Sequence, residues 1–179
     1  MLDIDLSEKA FWFAAGAHKK QMMNGFTEPY LFHVAGVAVN IIALCTDLSH
    51  FAYNAAVQMA YTHDILEDTP TTFGELRAGF GDYVATGTQA LTKDRNLPKA
   101  LAMEKSIQAI RAHGIPARYV KISDRAVNLS SIGIPAHWDL DRRRHYRDQG
   151  AMILKELQDD PKHPLAMLLQ RRIDEYPVN

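Results

Sequence analysis

Four ionisable side chains fall within six positions in His63-Asp64-Ile65-Leu66-Glu67-Asp68. Imidazoles and carboxylates bind divalent cations, and carboxylates also take protons from water. This grouping therefore points to metal-assisted hydrolysis. On a continuous helix residues four apart share a face, which sets His63 over Glu67 and Asp64 over Asp68. Adjacent His63 and Asp64 sit about 100° apart and can lean toward one point. The upstream segment is rich in alanine (Ala52, Ala55, Ala56, Ala60), so other helices can approach it closely. Burying three carboxylates without a cation is costly, and a metal offsets that cost. The plainer alternative is an exposed helix end with a solvated acidic patch.

A second polar stripe runs through Pro116–Ile132, where Lys121, Asp124, Asn128 and Ser131 fall at i, i+3, i+7 and i+10 with Arg125 beside them. Asp124 as a metal ligand, with Lys121 and Arg125 toward phosphate, gives a mostly apolar helix a reason to keep this stripe. A surface helix facing water is the competing reading. His33 stands in the apolar run Leu31-Phe32-His33-Val34-Ala35, where a lone histidine is more often a satisfied core residue. It would complete a set of two imidazoles and two carboxylates, which suits Mn²⁺, Fe²⁺ or Zn²⁺ better than a purely structural zinc site. Spacing alone does not join the three segments.

The elements that must position these residues read as helices. Apolar period and Pro/Gly breaks predict an all-α fold of about eight to ten helices, with no alternating run that argues for a sheet. The first helix is expected to start after Ser7 as N-cap and to end at Asn24-Gly25. A second is expected from about Pro29 to Cys45. A third, central one runs from about His50 to Leu66, stopped by Thr69-Pro70. Thr72-Phe73-Gly74-Glu75 reads as a capping box opening a short helix, and another helix spans about Asp82 to Thr92. Pro98 opens a helix closed by His113-Gly114, and Pro116 opens one closed by Gly133. Two more are expected over about Asp141–Gln158 and Pro164–Tyr176.

The order His33, His63-Asp64, Asp124 resembles the H…HD…D pattern of HD-type phosphohydrolases, which implies an HD-domain helical bundle. Four stretches narrow the resemblance: Ala14-Ala15-Gly16-Ala17-His18-Lys19-Lys20-Gln21, Glu28-Pro29-Tyr30-Leu31-Phe32-His33, His63-Asp64-Ile65-Leu66-Glu67-Asp68-Thr69, and Val120 through Leu129. Together they look like the hydrolase domain of the Rel/Spo proteins, which hydrolyse the alarmone guanosine 3′,5′-bis(diphosphate), (p)ppGpp. Phe80-Gly81 and Leu91-Thr92-Lys93 also fit. The resemblance is strongest over residues 8–155 of a single domain expected to span 1–179. No downstream synthetase domain is expected, which resembles the stand-alone small alarmone hydrolases. The resemblance implies that His33, His63, Asp64 and Asp124 bind the metal, which is manganese in that family. It implies that Glu67 and Asp68 are the catalytic acidic pair, and that Asn128 and Ser131 contact substrate.

The chain departs from the family where an Arg-Lys pair contacts purine and phosphates. Aligned on Gln21 and Pro29-Tyr30, Lys20 stands at a family glycine, Met23 at the Arg and Asn24 at the Lys. Met23 can still touch a ring but carries no charge. Lys19, Lys20 and Lys93 are the cations that could compensate. The expected activity is 3′-pyrophosphohydrolysis of guanosine 3′,5′-bis(diphosphate). The alternatives are an HD phosphohydrolase acting on another nucleotide (a monophosphate, or one like NADPH) and a nucleotide-binding module with little turnover.

Composition bounds the remaining classes. The 179 residues suit one core, with 47% hydrophobic residues, 23% charged residues and a formal net charge of −1. That balance supplies no overall field toward nucleic acid or an anionic membrane. The basic run Arg142-Arg143-Arg144 is short and reads as a solvated helix face. Cys45, the single cysteine, reads as a small buried hydrophobe. The acidic start Met1-Leu2-Asp3-Ile4-Asp5 is unlike a signal peptide, so a cytoplasmic protein with a nucleotide substrate, without nucleic-acid or membrane partners, is expected. The sequence sets no oligomeric state.

Overall fold

The computed structural model describes residues 1–130, 134, 135 and 137–178. Among them nine helical segments run in order: α1 Ile4–Ala17, α2 Leu31–Leu44, α3 His50–Thr62, α4 Ile65–Asp68, α5 Phe73–Leu91, α6 Lys99–His113, α7 Ile115–Asn128, α8 Leu140–Leu157 and α9 Pro164–Glu175. The all-α expectation holds; the only β feature among the described residues is the bridge between Met22 and Pro29.

Helix α3 is the axis. Every residue from Tyr53 to Thr62 is buried, and α1, α2, α5 and α7 all pack on it. Its alanines Ala55, Ala56 and Ala60 are at most 2% exposed, so neighbouring backbones come close. Ser123 Oγ on α7 donates to the Val37 carbonyl on α2 at 2.9 Å, inside the core. Helices α2 and α7, which carry His33 and Asp124, and α3, which leads directly into His63, are thus mutually packed.

Four boundaries differ from expectation. Asp3, not Ser7, caps α1: its carboxylate accepts from the Leu6 N–H at 3.1 Å, and an anion is favoured at a helix N-terminus. Helix α1 stops at Ala17 rather than Asn24-Gly25. Residues 18–30 instead form a hairpin-like excursion closed by the Met22–Pro29 bridge. Gly25 lies at its tip with φ 81°, a left-handed conformation in which glycine carries no Cβ penalty. An added Cβ there would also meet Pro135 Cβ at 2.8 Å.

Helix α3 ends at Thr62, short of the expected Leu66. The Thr62 hydroxyl donates back to the Gln58 carbonyl at 2.9 Å and lies 2.8 Å from Thr88 Oγ1; such back-bonding bends helices. Asp64 adopts φ −103°, ψ 0° before α4 restarts, so His63 and Asp64 occupy a turn rather than one helix face. Helix α7 ends at Asn128 rather than Gly133, and Ser131 lies outside the described residues. The expected capping box at Thr72–Glu75 is present. Gly81 (φ 79°, ψ 170°) divides α5 in two, as the separate short helices required.

Candidate active site

The turn between α3 and α4 aims two side chains at the same point. His63 Nε2 lies 2.9 Å from Asp64 Oδ2. From α2, His33 Nε2 reaches His63 Nε2 at 3.2 Å and Asp64 Oδ2 at 3.7 Å. From α7, Asp124 Oδ1 lies 3.5 Å from His33 Nε2 and 3.9 Å from His63 Nε2. His33, His63 and Asp124 are each at most 5% exposed.

The donor set fits a divalent cation. His63 Nδ1 lies 2.8 Å from the Ala60 carbonyl. A carbonyl only accepts, so Nδ1 carries a proton, which leaves Nε2 as the ring nitrogen turned to the cluster, as in metal-ligating histidines. His33, His63 and Asp64 each offer one ligand atom, all within 4.8 Å of one another. Asp124 supplies a second carboxylate close by.

Surrounding groups hold these carboxylates ionised. Burial alone would raise the Asp124 pKa, but Lys121, His33 and His63 keep it well below the usual carboxylate range. Lys121 Nζ donates to Asp124 Oδ2 at 2.9 Å, and Asn128 Nδ2 donates to Asp124 Oδ1 at 2.5 Å. Burial likewise opposes ionisation of Asp64, and His63 overcomes it. Burial disfavours the His63 imidazolium, yet Asp64 and Asp124 reverse this and raise its pKa to about 9. Tyr30 donates its phenol to Asp64 Oδ2; burial, followed by the Asp64 charge, pushes the phenol pKa up, so it remains a donor.

Beside the cluster lies a cavity of about 880 Å³. Glu67 and Asp68 stand on its wall, each held from two directions. Glu67 accepts from the Lys93 N–H at 3.1 Å and from Lys93 Nζ at 3.3 Å. Asp68 accepts from Arg95 Nη2 at 2.5 Å and from Gln21 Nε2 at 3.0 Å. Arg125, buried, stacks on Tyr146 with its guanidinium 4.4 Å from the ring centroid. Arg125 Nε and Nη1 have no hydrogen-bond partner among the described residues, although both are strong donors.

The expected site residues therefore divide. His33, His63, Asp64 and Asp124 converge, and Glu67, Asp68, Lys121, Arg125, Asn128, Met23 and Asn24 line the adjoining cavity. Lys20 is exposed and is not part of that lining. Lys93 is, together with Arg95 and Lys99. Tyr30, Gln21, Arg95, Trp138 and Tyr146 were not anticipated. Tyr30 stands one turn before His33, a spacing that could have marked it. Arg95 lies in a loop with no periodic signal.

No family model matches the sequence. Individual relatives do. A zebrafish (Danio rerio) protein named guanosine-3′,5′-bis(diphosphate) 3′-pyrophosphohydrolase MESH1 is 31% identical over 148 residues, covering 81% of this chain and 80% of its own length. The chain belongs to this pyrophosphohydrolase family. The human MESH1 protein is 32% identical over 151 residues, covering 82% and 81%. In structure, a metazoan orthologue of SpoT, described as hydrolysing ppGpp and playing a role in starvation responses, superposes with a TM-score of 0.82. The match covers 97% of both chains at 21% identity, and shows the shared helical fold. No helix among the described residues is long and apolar enough to cross a membrane.

Proposed function

We propose that the protein is a manganese-dependent guanosine 3′,5′-bis(diphosphate) 3′-pyrophosphohydrolase contained in one HD-type domain. The observation that carries this reading is the meeting of His33, His63, Asp64 and Asp124 beside a cavity walled by Glu67, Asp68 and several cations. Membership of the MESH1 family supports the substrate. Two imidazoles with two carboxylates suit Mn²⁺, as they do Fe²⁺ or Zn²⁺, and manganese is the metal that the Rel/Spo resemblance implies. An unpaired, buried Cys45 fits a reducing cytoplasm.

The four converging residues would hold the cation, which when bound supplies a water of lowered pKa at the phosphorus. Lys121 and Asn128 fix the Asp124 carboxylate, and Tyr30 fixes Asp64. Asp68 or Glu67 accepts the proton of the attacking water. A bond forms from the water oxygen to the phosphorus attached at the 3′-oxygen, and the bond from that phosphorus to the 3′-oxygen breaks. The 3′-oxygen leaves with the proton, giving GDP or GTP and pyrophosphate. Arg125, Lys93 and Arg95 offset charge on the phosphoryl oxygens. Ser131 keeps its proposed role as a hydroxyl contact, and Lys20 acts at most from the rim.

Met23 and Asn24 on the cavity wall favour a second reading, in which another nucleotide is preferred. A panel assay with Mn²⁺ decides between them. Stoichiometric GDP and pyrophosphate from ppGpp is the expected result. Phosphate from a nucleoside monophosphate or NADPH, with no pyrophosphate from ppGpp, would replace the first reading by the second.

A further inference from the structure

The excursion between α1 and α2 touches an acid at each end of the short helix α4, its N-cap Asp64 and its last residue Asp68. Tyr30 donates to Asp64 Oδ2 at one end of α4. Gln21 Nε2 donates to Asp68 Oδ2 at the other, 3.0 Å away. The two donors are tied together, because the Tyr30 N–H bonds the Gln21 carbonyl at 2.9 Å. Behind Gln21 stands His18, 2% exposed, whose Nδ1 lies 2.7 Å from Gln21 Oε1.

Charge fixes every proton in this chain. If the Gln21 amide were flipped, its oxygen would face the Asp68 carboxylate at the distance now held by an N–H, oxygen against anionic oxygen. The Asp68 charge therefore selects the orientation with Nε2 toward Asp68 and Oε1 toward His18. An amide oxygen only accepts, so His18 Nδ1 must carry its ring proton. His18 Nε2 is buried with no partner among the described residues, so nothing draws the proton to the other nitrogen. Burial lowers the His18 pKa, despite the bond to Gln21 and the nearby acids, and keeps the ring neutral. Tyr30 packs on the same imidazole at 5.1 Å between ring centroids.

We infer that Gln21 is a positioning residue for Asp68, held in its working orientation by a donor bond from buried His18. The Asp68 side chain is 24% exposed, and that of its other partner, Arg95, is 66% exposed. An exposed ion pair leaves the carboxylate free to swing. The Gln21 bond is anchored through a buried ring and holds Oδ2 in place. The second oxygen, Oδ1, stays with Arg95. His18 and Gln21 thus act on the reaction without touching substrate.

The kinetic part of this inference rests on the proposed hydrolase reading, so the test has two arms. In the first, the Gln21 side-chain amide is followed by ¹H–¹⁵N NMR in the full chain. One Nε2 proton should be shifted downfield and exchange slowly with solvent. That protection should vanish in Asp68→Ala and in His18→Leu, and persist in His18→Asn, whose amide can donate where Nδ1 did. Solvent-like exchange in the wild type, or protection unchanged in His18→Leu, would overturn the inference, and this holds whatever the substrate proves to be. In the second arm, Gln21→Leu should lower kcat about ten- to a hundredfold with KM little changed, as expected for a misplaced reacting group. His18→Leu should follow it, and His18→Asn should recover most of the loss at unchanged thermal stability. Wild-type kcat in Gln21→Leu, or a rise in KM alone, would overturn the inference. A wild type inert toward ppGpp would sink the substrate reading and leave the NMR arm to decide the clamp.

Discussion

His33 Nε2 and His63 Nε2 face each other across 3.2 Å, with Asp64 Oδ2 and Asp124 Oδ1 completing the ring around them. Two imidazole nitrogens meeting head-on gain little from each other. They gain much from a shared cation, since each lone pair then has a partner. The geometry is therefore already arranged for an ion before one binds.

A pre-arranged site links metal binding to stability. At a free Mn²⁺ concentration a hundred times its Kd, the native state gains about 2.7 kcal/mol. For a chain of this size that corresponds to roughly 5–10 °C in Tm. Differential scanning fluorimetry against Mn²⁺, with EDTA as reference, should show this rise. Asp64→Ala should remove the shift and the turnover together while circular dichroism stays helical. A full Mn²⁺ shift in Asp64→Ala would show that the ion binds elsewhere.

Lys121 has a double role that its expected contact with phosphate hides. Its ammonium sits 2.9 Å from Asp124 Oδ2, with both side chains 7% exposed. Removing one member of such a pair strands a buried charge and costs about 3–5 kcal/mol. Lys121→Met should lose that much in urea unfolding with EDTA present. With saturating Mn²⁺ the loss should shrink, because the ion then neutralises Asp124. Equal losses in both conditions would mean that Lys121 acts through packing alone.

These relationships also mark where sequence reasoning stopped. Helical period, Pro98, Pro116 and Pro164, and the Thr72–Glu75 capping box were enough to place most helices, because they are local signals. The proposed ligand set could be named because His33, His63-Asp64 and Asp124 keep the order of a known pattern. The break between Thr62 and Ile65 was not, since it depends on Thr62 bonding back to Gln58 and across to Thr88 on another helix. Nor was the Gln21–Asp68 bond, 47 residues apart in sequence. It exists only because residues 18–30 turn back through the Met22–Pro29 bridge instead of extending α1.

Cys45 gives a pH dependence whose sign can be worked out. It is fully buried, and burial first, then the Asp47 charge, pushes its thiol up to about 12 from an ordinary 9.0. Between those values the unfolded chain has released the proton and the native chain has kept it. Cys45 therefore favours the fold fully below pH 9 and progressively less as pH climbs toward 12. Urea-unfolding free energies should fall over this window in the wild type and fall less in Cys45→Ala. At pH 8 the native thiol should react with Ellman's reagent far more slowly than in urea. Rapid native labelling would contradict the burial.

Met23 and Asn24 offer the sharpest check on substrate preference. Both line the cavity, at the positions where the Rel/Spo hydrolases carry a basic pair. Asn24 is exposed and Met23 half-buried, so a longer basic side chain can be accommodated at either position without disturbing the core. A single cation placed about 4 Å from a phosphate in high dielectric contributes on the order of 1 kcal/mol, roughly fivefold in affinity. Asn24→Lys should therefore lower KM for ppGpp about fivefold at low ionic strength, with kcat little changed, because the contact is equal in ground and transition states. Salt should erode the gain, since the new charge is exposed. Met23→Arg should add to it if the guanidinium reaches the purine face. An unchanged KM in the double variant would mean that Lys93, Arg95 and Lys99 already supply the phosphate contacts, and that the natural substrate is chosen elsewhere in the cavity.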